Sequence, residues 1–337
     1  MYGKGPAHDG GNLLIGCRAD IDALPMAEFN NLPYKSKTNA AHMCGHDGHI
    51  ACLLGGISLY MENLEKIPSN RGIRWLFQPA EEGAGGAKYM VKCGCLEGLS
   101  EVYGMHNIPN RTYQGKVCVQ PGKMMAGLSV LKFKIIGKGG HGSRPESCKN
   151  PVPVTAEVYL ALQEILDKGM EENPDTFKAS IPKLVGSNAF NVIPEDCEIA
   201  GTLRCFETVL PVEIIKKLEQ AAQEIVDKAG EGFRIEFGNT PNFFRPVIND
   251  KEPTSWVQKA VDEIYGKENN TTEACPIFAS EDFSEFTIDL PGCFWFAAHG
   301  INDPKVTLHS SEFMFDDTVI EPQSKLWQKL CELRLNH

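Results

Sequence analysis

The chain has 337 residues, 42% of them hydrophobic and 23% charged, which suits two globular domains of ordinary composition. Its formal net charge of −11 argues against a nucleic-acid or anionic-membrane surface, because both need clustered lysine and arginine. No apolar run approaches the roughly 20 residues that cross a bilayer, and the start, MYGKGPAHDGGN, lacks the apolar stretch of a signal peptide. A cytoplasmic chain is the expectation, with the twelve scattered cysteines read as reduced thiols.

NLLIGC (12–17) predicts a buried strand, residues 47–65 a helix, GIRWLFQ (72–78) a strand, residues 84–93 a helix and EVYGMH (101–106) a strand. That alternation predicts an α/β fold, a mainly parallel sheet flanked by helices. In LSVLKFKII (128–136), Leu131, Phe133 and Ile135 alternate with Lys132 and Lys134, as in a half-exposed antiparallel strand. Pro151 opens a helix to about 168. Strand-like runs near 178–186 and 195–206, a helix over 211–229 stopped at Gly230, and RIEFGN (234–239) complete the order β-α-β-β-α-β. That order is ferredoxin-like. The first texture then returns in helices over 252–265 and 318–335 and in the strand GCFWFAA (292–298). The expected organisation is one α/β domain, 1–126 plus 243–337, interrupted by an inserted α+β domain, 127–242.

In open α/β sheets, functional groups gather beyond the carboxyl ends of strands. Asp20 and Asp22 follow the first strand, Glu81 and Glu82 follow the strand through Phe77, and His106 closes the next. Just before the helix at 47, C-G-H-D-G-H (Cys44 to His49) is dense in metal-ligand types. Cys44 and His46, two residues apart, can share one divalent ion from a loop. The same run also reads as a plain helix start, with Asp47 favouring the helix dipole and His49 facing solvent. Asp47 is also a candidate to accept the spare N–H of a ligand histidine.

The pair Glu81–Glu82 is more telling. Adjacent carboxylates past a buried strand repel and lose hydration unless a cation is near. One can bind a metal while the other takes a proton from water; the plain alternative is a solvated acidic turn. His106, and His309 in TLHSSE, each read alone as hydrogen-bonded structural histidines. GKGGHG (137–142) matches G-x-G-x-x-G, but Ser143, Arg144 and Pro145 stand where a helix should open. It reads instead as a flexible loop presenting His141.

CRADIDALPM, HMCGHDGH, FQPAEEGAGGAKYM, YGMHN, GKGGHGSRPE, NAFNVIPE and GTLRCF follow one another along nearly the whole chain. Together they resemble the M20 metallopeptidase family, in the amidohydrolase branch that includes hippurate hydrolases, N-acyl-amino-acid deacylases and plant auxin-conjugate hydrolases. The resemblance implies a metal-dependent exopeptidase-like catalytic domain, with the inserted domain as a lid and, in some relatives, a homodimer contact. It implies that Cys44, His46, Glu82, His106 and His309 hold two divalent metal ions, manganese or zinc foremost and cobalt or nickel as alternatives. Glu81 matches the general base, and His141 a histidine that stabilises the oxyanion. Asn191 and Arg204 match substrate-binding positions, Arg204 pairing with a carboxylate. Asp20 sits where more distant relatives carry a ligand histidine and is expected behind the ligands. The implied reaction is hydrolysis of a small N-acyl amino acid (acetyl-, benzoyl- or indoleacetyl-like) by an activated water. A dipeptidase or carboxypeptidase would use the same chemistry. A non-catalytic metal-binding relative is a third reading, suggested by the short stretch before the RADIDALP-like segment. VTLHSSEF, around His309, matches more loosely than the other motifs.

Overall fold

The structure, a computed structural model, describes residues 2–3, 13–62, 68, 70–83, 85–300 and 306–336. It opens with β1 (Tyr2–Gly3), β2 (Leu13–Asp20), α1 (His46–Met61), β3 (Arg71–Gln78), α2 (Gly86–Lys92), β4 (Glu101–Pro109), β5 (Val117–Cys118) and β6 (Gly122–Met125). There follow β7 (Gly127–Ile136), β8 (Gly140–His141), α3 (Pro151–Glu172), β9 (Phe177–Val185), β10 (Val192–Ile193), β11 (Asp196–Cys205), α4 (Val209–Ala229), β12 (Arg234–Phe237) and β13 (Thr240–Phe244). The chain closes with β14 (Val247–Asn249), α5 (Lys251–Ile264), β15 (Asn270–Thr271), β16 (Gly292–His299) and α6 (Ile320–Asn336). Two compact units result. One comprises Met1–Met124, Val247–Ile277 and Asp282–His337; the other comprises Met125–Pro246 and Phe278–Glu281.

The first unit carries a seven-stranded sheet in the order β1-β3-β2-β4-β16-β5-β15. β2 runs parallel to β3 and β4, and β4 parallel to β16, so the central strands are parallel as their alternation with helices predicts. The two-residue period of a strand divides the work of the sheet. Leu13, Ile15, Cys17 and Ala19 of β2, Tyr103 and Met105 of β4, and Cys293, Trp295 and Ala297 of β16 share one apolar core. That core also takes Cys52 and Leu53 from α1, Val257 and Val261 from α5, and Leu326, Trp327 and Leu330 from α6. The alternate positions Arg18, Asp20, Gln78 and His106 are all buried as well, and they carry the polar chemistry.

β2 extends to Asp20, past the strand end expected at Cys17, because its charged residues neutralise one another rather than seek water. Arg18 Nη1 lies 3.0 Å from Asp20 Oδ2 and Nη2 lies 3.3 Å from Asp282 Oδ1. Arg18 Nε donates to Gln78 Oε1 at 2.7 Å, and Gln78 Nε2 donates to Asp282 Oδ1 at 2.7 Å. Asp282 Oδ2 in turn accepts the Ala87 N–H at the start of α2, at 3.0 Å. Replacing Arg18 takes a fully buried guanidinium away from two buried carboxylates. Arg18→Met is expected to cost about 3–5 kcal/mol, read by denaturant unfolding; a loss within experimental error would show that these charges are solvated.

In the second unit β12-β7-β11-β9 form one antiparallel sheet, with β13 also paired to β7. Leu131, Phe133 and Ile135 of β7 and Ile199 and Leu203 of β11 join Val158, Leu162 and Leu166 of α3 and Leu218, Ala222 and Val226 of α4 in a second core. The element order is the ferredoxin-like one. No helix opens at GKGGHG. β8 pairs there with β10, and α3 begins at Pro151, where the Asn150 side chain accepts the Val152 N–H at 3.1 Å. All twelve cysteines are free thiols. Among the described residues no helix is long and apolar enough to cross a membrane.

Candidate metal centre

Four loop and strand segments of the first unit supply its ligand-type side chains. Cys44 and His46 flank Gly45, which precedes α1 with φ +89°. A Cβ there would stand 2.5 Å from Asn107 Nδ2, so glycine alone lets the chain turn tightly between these two residues. Glu81 and Glu82 lie on the turn after β3, between Ala80 (φ +59°) and Gly83 (φ +110°). His309 itself has φ +64°. For a non-glycine residue such a conformation costs on the order of 1–3 kcal/mol and tends to mark functional loops. His106 sits within β4, which continues to Pro109 beyond the end expected for it.

The structure brings these residues together. Cys44 Sγ is 3.5 Å from His106 Nε2. His46 Nε2 is 3.8 Å from Glu82 Oε1. His309 Nε2 is 3.3 Å from the same Glu82 oxygen, though out of hydrogen-bonding alignment with it. One donor atom each from Cys44, His46 and Glu82 lies within 4.8 Å of the others. His46 Nε2 and Glu82 Oε1 are buried and have no hydrogen-bond partner. Buried polar atoms left without a hydrogen bond cost a kcal/mol or more each, and a divalent cation between them would satisfy both. Thiol, imidazole and carboxylate together form a donor set fitted to such an ion.

The electrostatics agree with that fit. Burial, reinforced by Glu82, Glu81 and Asp20, pushes the Cys44 thiol far above its ordinary range; a cation beside it would reverse that and favour the thiolate. Burial alone would lower His46, but Asp20, Asp22 and Glu82 outweigh it and raise the ring to about 9. Burial depresses His106 to about 4, so the imidazole is neutral and its lone pair available. Glu82 is held below the usual carboxylate range; burial opposes this, but His309 and His46 beside it prevail.

The supporting contacts correct one expectation. Asp47 is exposed, and its Oδ1 accepts the N–H of the next residue, Gly48, at 3.0 Å. It does not reach a histidine ring, because the second position of α1 points its side chain outward. Asp22 meets His46 instead. Its Oδ1 lies 3.2 Å from His46 Nδ1 and its Oδ2 accepts the Glu82 N–H at 3.0 Å, which aims His46 Nε2 inward and ties the two loops together. Asp20 Oδ2 lies 3.8 Å from His46 Nε2 and its Oδ1 2.5 Å from His49 Nδ1. His49 is fully buried, which rules out the plain helix-start reading that would have left it in solvent. Its place three residues after His46, on the same helix face, is the signal that could have shown this. Glu81 is buried beside Glu82.

The second unit holds the remaining candidates. His141 in β8 pairs opposite Val192 of β10, and the Asn191 carbonyl accepts the Gly142 N–H at 2.8 Å, so His141 and Asn191 adjoin on one small ribbon. Ser143 N–H donates to His141 Nδ1 at 3.1 Å, which leaves Nε2 as the exposed N–H donor. Arg204, near the end of β11, is half-buried and hydrogen-bonded to Ser280 Oγ.

Fold and site together define a metal-dependent hydrolase with an α/β catalytic unit, its ligand-type residues grouped near the carboxyl ends of parallel strands. The chain belongs to peptidase family M20/M25/M40, whose family model matches residues 16–333. It is 34% identical over 321 residues to hippurate hydrolase of Campylobacter jejuni, covering 94% of this chain and 80% of that one. It is likewise 34% identical over 311 residues to IAA-amino acid hydrolase ILR1-like 4 of Arabidopsis thaliana, covering 91% of this chain and 69% of that one. Among solved structures, a dinuclear metal-binding peptidase of the M20 family from Bacillus subtilis superposes with a TM-score of 0.77 at 27% identity, over 100% of this chain and 84% of that one.

Proposed function

We propose that the chain hydrolyses the amide bond of N-acyl amino acids at a two-ion centre held by Cys44, His46, Glu82, His106 and His309. The observation that carries this reading is the pair of buried, unpartnered donor atoms, His46 Nε2 and Glu82 Oε1, 3.8 Å apart. The substrate class rests on the relatives named for hippurate and for IAA-amino acid conjugates. Divalent ions bound here would polarise the amide carbonyl and acidify water; zinc or manganese suits the mixed donor set best, with cobalt or nickel as substitutes. Glu81 takes the proton of the attacking water and passes it to the leaving amine. The His141 Nε2–H is the oxyanion donor. Asn191 and Arg204 hold the substrate carboxylate, Arg204 by a charge-assisted hydrogen bond. We assign the second unit the lid and homodimer roles; its edge strand β9, with exposed Leu184 and Val185, offers an unpaired rim for the latter.

A peptidase acting on dipeptides or carboxy-terminal residues is the second reading, favoured by the Bacillus subtilis neighbour described as a peptidase. Release of free amino acid from N-acetyl- and N-benzoyl-amino acids, assayed beside dipeptides with Mn²⁺ or Zn²⁺ added, separates the two. Faster turnover of the N-acyl substrates is expected. Faster dipeptide cleavage supports the second reading, and no turnover of either class by a metal-loaded protein contradicts both.

A further inference from the structure

We propose that His49 is a positioning residue of the metal centre: its imidazole binds no ion but links Asp20 to Asn107, and so holds Cys44 and His106 in place. The inference rests on the two-ion centre proposed above. By residue type His49 belongs among the ligands. It is fully buried, its ring stacks on His46 with centroids 5.3 Å apart, and one donor atom each from Asp20, His46, His49 and His106 lies within 4.8 Å of the others.

Its hydrogen bonds place it elsewhere. His49 Nε2 lies 2.9 Å from the Asn107 main-chain nitrogen, a group that can only donate. Nε2 is therefore the acceptor, and the ring proton sits on Nδ1, directed at Asp20 Oδ1 2.5 Å away. The Asn107 side-chain Nδ2 approaches the same Nε2 at 2.9 Å. An ion would need the lone pair that these N–H groups already face. His46 presents the opposite pattern, with Nδ1 engaged by Asp22 and Nε2 buried and unpartnered.

From His49 the contacts reach two ligand positions. Asn107 Nδ2 donates to the Cys44 carbonyl at 2.7 Å. The Asn107 carbonyl accepts His106 Nδ1–H at 2.5 Å, which turns His106 Nε2 toward Cys44 Sγ. Asn107 Oδ1 is fixed in turn by His299 Nε2 at 2.9 Å. On the other side Asp20 is gripped by Arg18 at 3.0 Å. The network runs from the buried guanidinium through Asp20 and His49 to the residue that sets both the thiol and the second imidazole. Partners of this kind typically change metal affinity about 10–100-fold.

Nitrogen-15 NMR of the zinc-loaded wild-type protein should show His49 protonated at Nδ1, with no metal on Nε2. His49→Ala should bind zinc about 10–100-fold more weakly with an altered cobalt absorption spectrum, yet hold as many ions at saturation. His49→Gln, whose amide can both donate to Asp20 and accept from Asn107, should recover most of the affinity and the spectrum. Metal on His49 Nε2, or loss of one bound ion in both variants, makes His49 a ligand and overturns the inference. So does a folded His49→Ala with wild-type affinity and spectrum. If His49→Ala does not fold, the NMR measurement decides. A wild-type protein that takes up no divalent ion overturns the centre itself, a result distinct from these.

Discussion

Glu81→Gln is expected to leave the bound metal unchanged while lowering kcat about 10²–10⁴-fold, the usual contribution of a positioned general base. The substitution keeps the shape of the side chain and removes its capacity to accept a proton. Glu81 and Glu82 are neighbours on one turn, yet their surroundings differ. The Glu82 carboxylate faces His46 and His309, its main-chain N–H is tied to Asp22, and Glu81 lies outside the three-residue group of Cys44, His46 and Glu82. The two carboxylates are thus assigned one task each, and the substitutions should separate them. Substantial activity surviving in Glu81→Gln would move the base to another residue.

Glu82→Ala should instead empty the centre. It removes the oxygen that both His46 Nε2 and His309 Nε2 approach, at 3.8 and 3.3 Å, and one corner of the group it forms with Cys44 and His46. Metal affinity should fall by more than the roughly 10–100-fold typical of residues behind the ligands, and activity should fall with it. The metal-free variant should stay folded, because His46 keeps Asp20 and Asp22 beside it when Glu82 is gone. Equilibrium dialysis with Zn²⁺ or Mn²⁺, beside a thermal melt of the metal-free protein, checks both statements. Wild-type affinity in this variant would remove Glu82 from the ligand set.

Much of the fold was legible because period and alternation report burial on one face at a time. The parallel strands, the β-α-β-β-α-β order of the insertion and the absence of a helix at GKGGHG all follow from such local signals. The sequence was silent where burial depends on partners far along the chain. Arg18 and Asp20 look like the end of a strand, since nothing local announces that Gln78 will hydrogen-bond Arg18 and Asp282 will pair with it. His49 looks solvated for the same reason, because the Asn107 N–H that engages it arrives from another strand. Asp47 drew the role of histidine partner because it adjoins His46 in sequence, whereas Asp22 meets that ring only in space. Only the outward direction of the second helical position and the reach of the loop after β2 decide between them. The ligand-type residues themselves drew attention through their density in C-G-H-D-G-H and the awkwardness of Glu81–Glu82. His309 had little local signal beyond its residue type, and its approach to Glu82 comes from a loop far along the chain.

The number of divalent ions bound per chain, measured by elemental analysis after dialysis, tests the two-ion centre most directly. Wild type and Glu81→Gln should carry the same complement, two ions each, and Glu82→Ala clearly less. A wild-type protein that hydrolyses N-acyl amino acids at full rate with no bound ion, or a Glu82→Ala variant that keeps the wild-type complement, would contradict it.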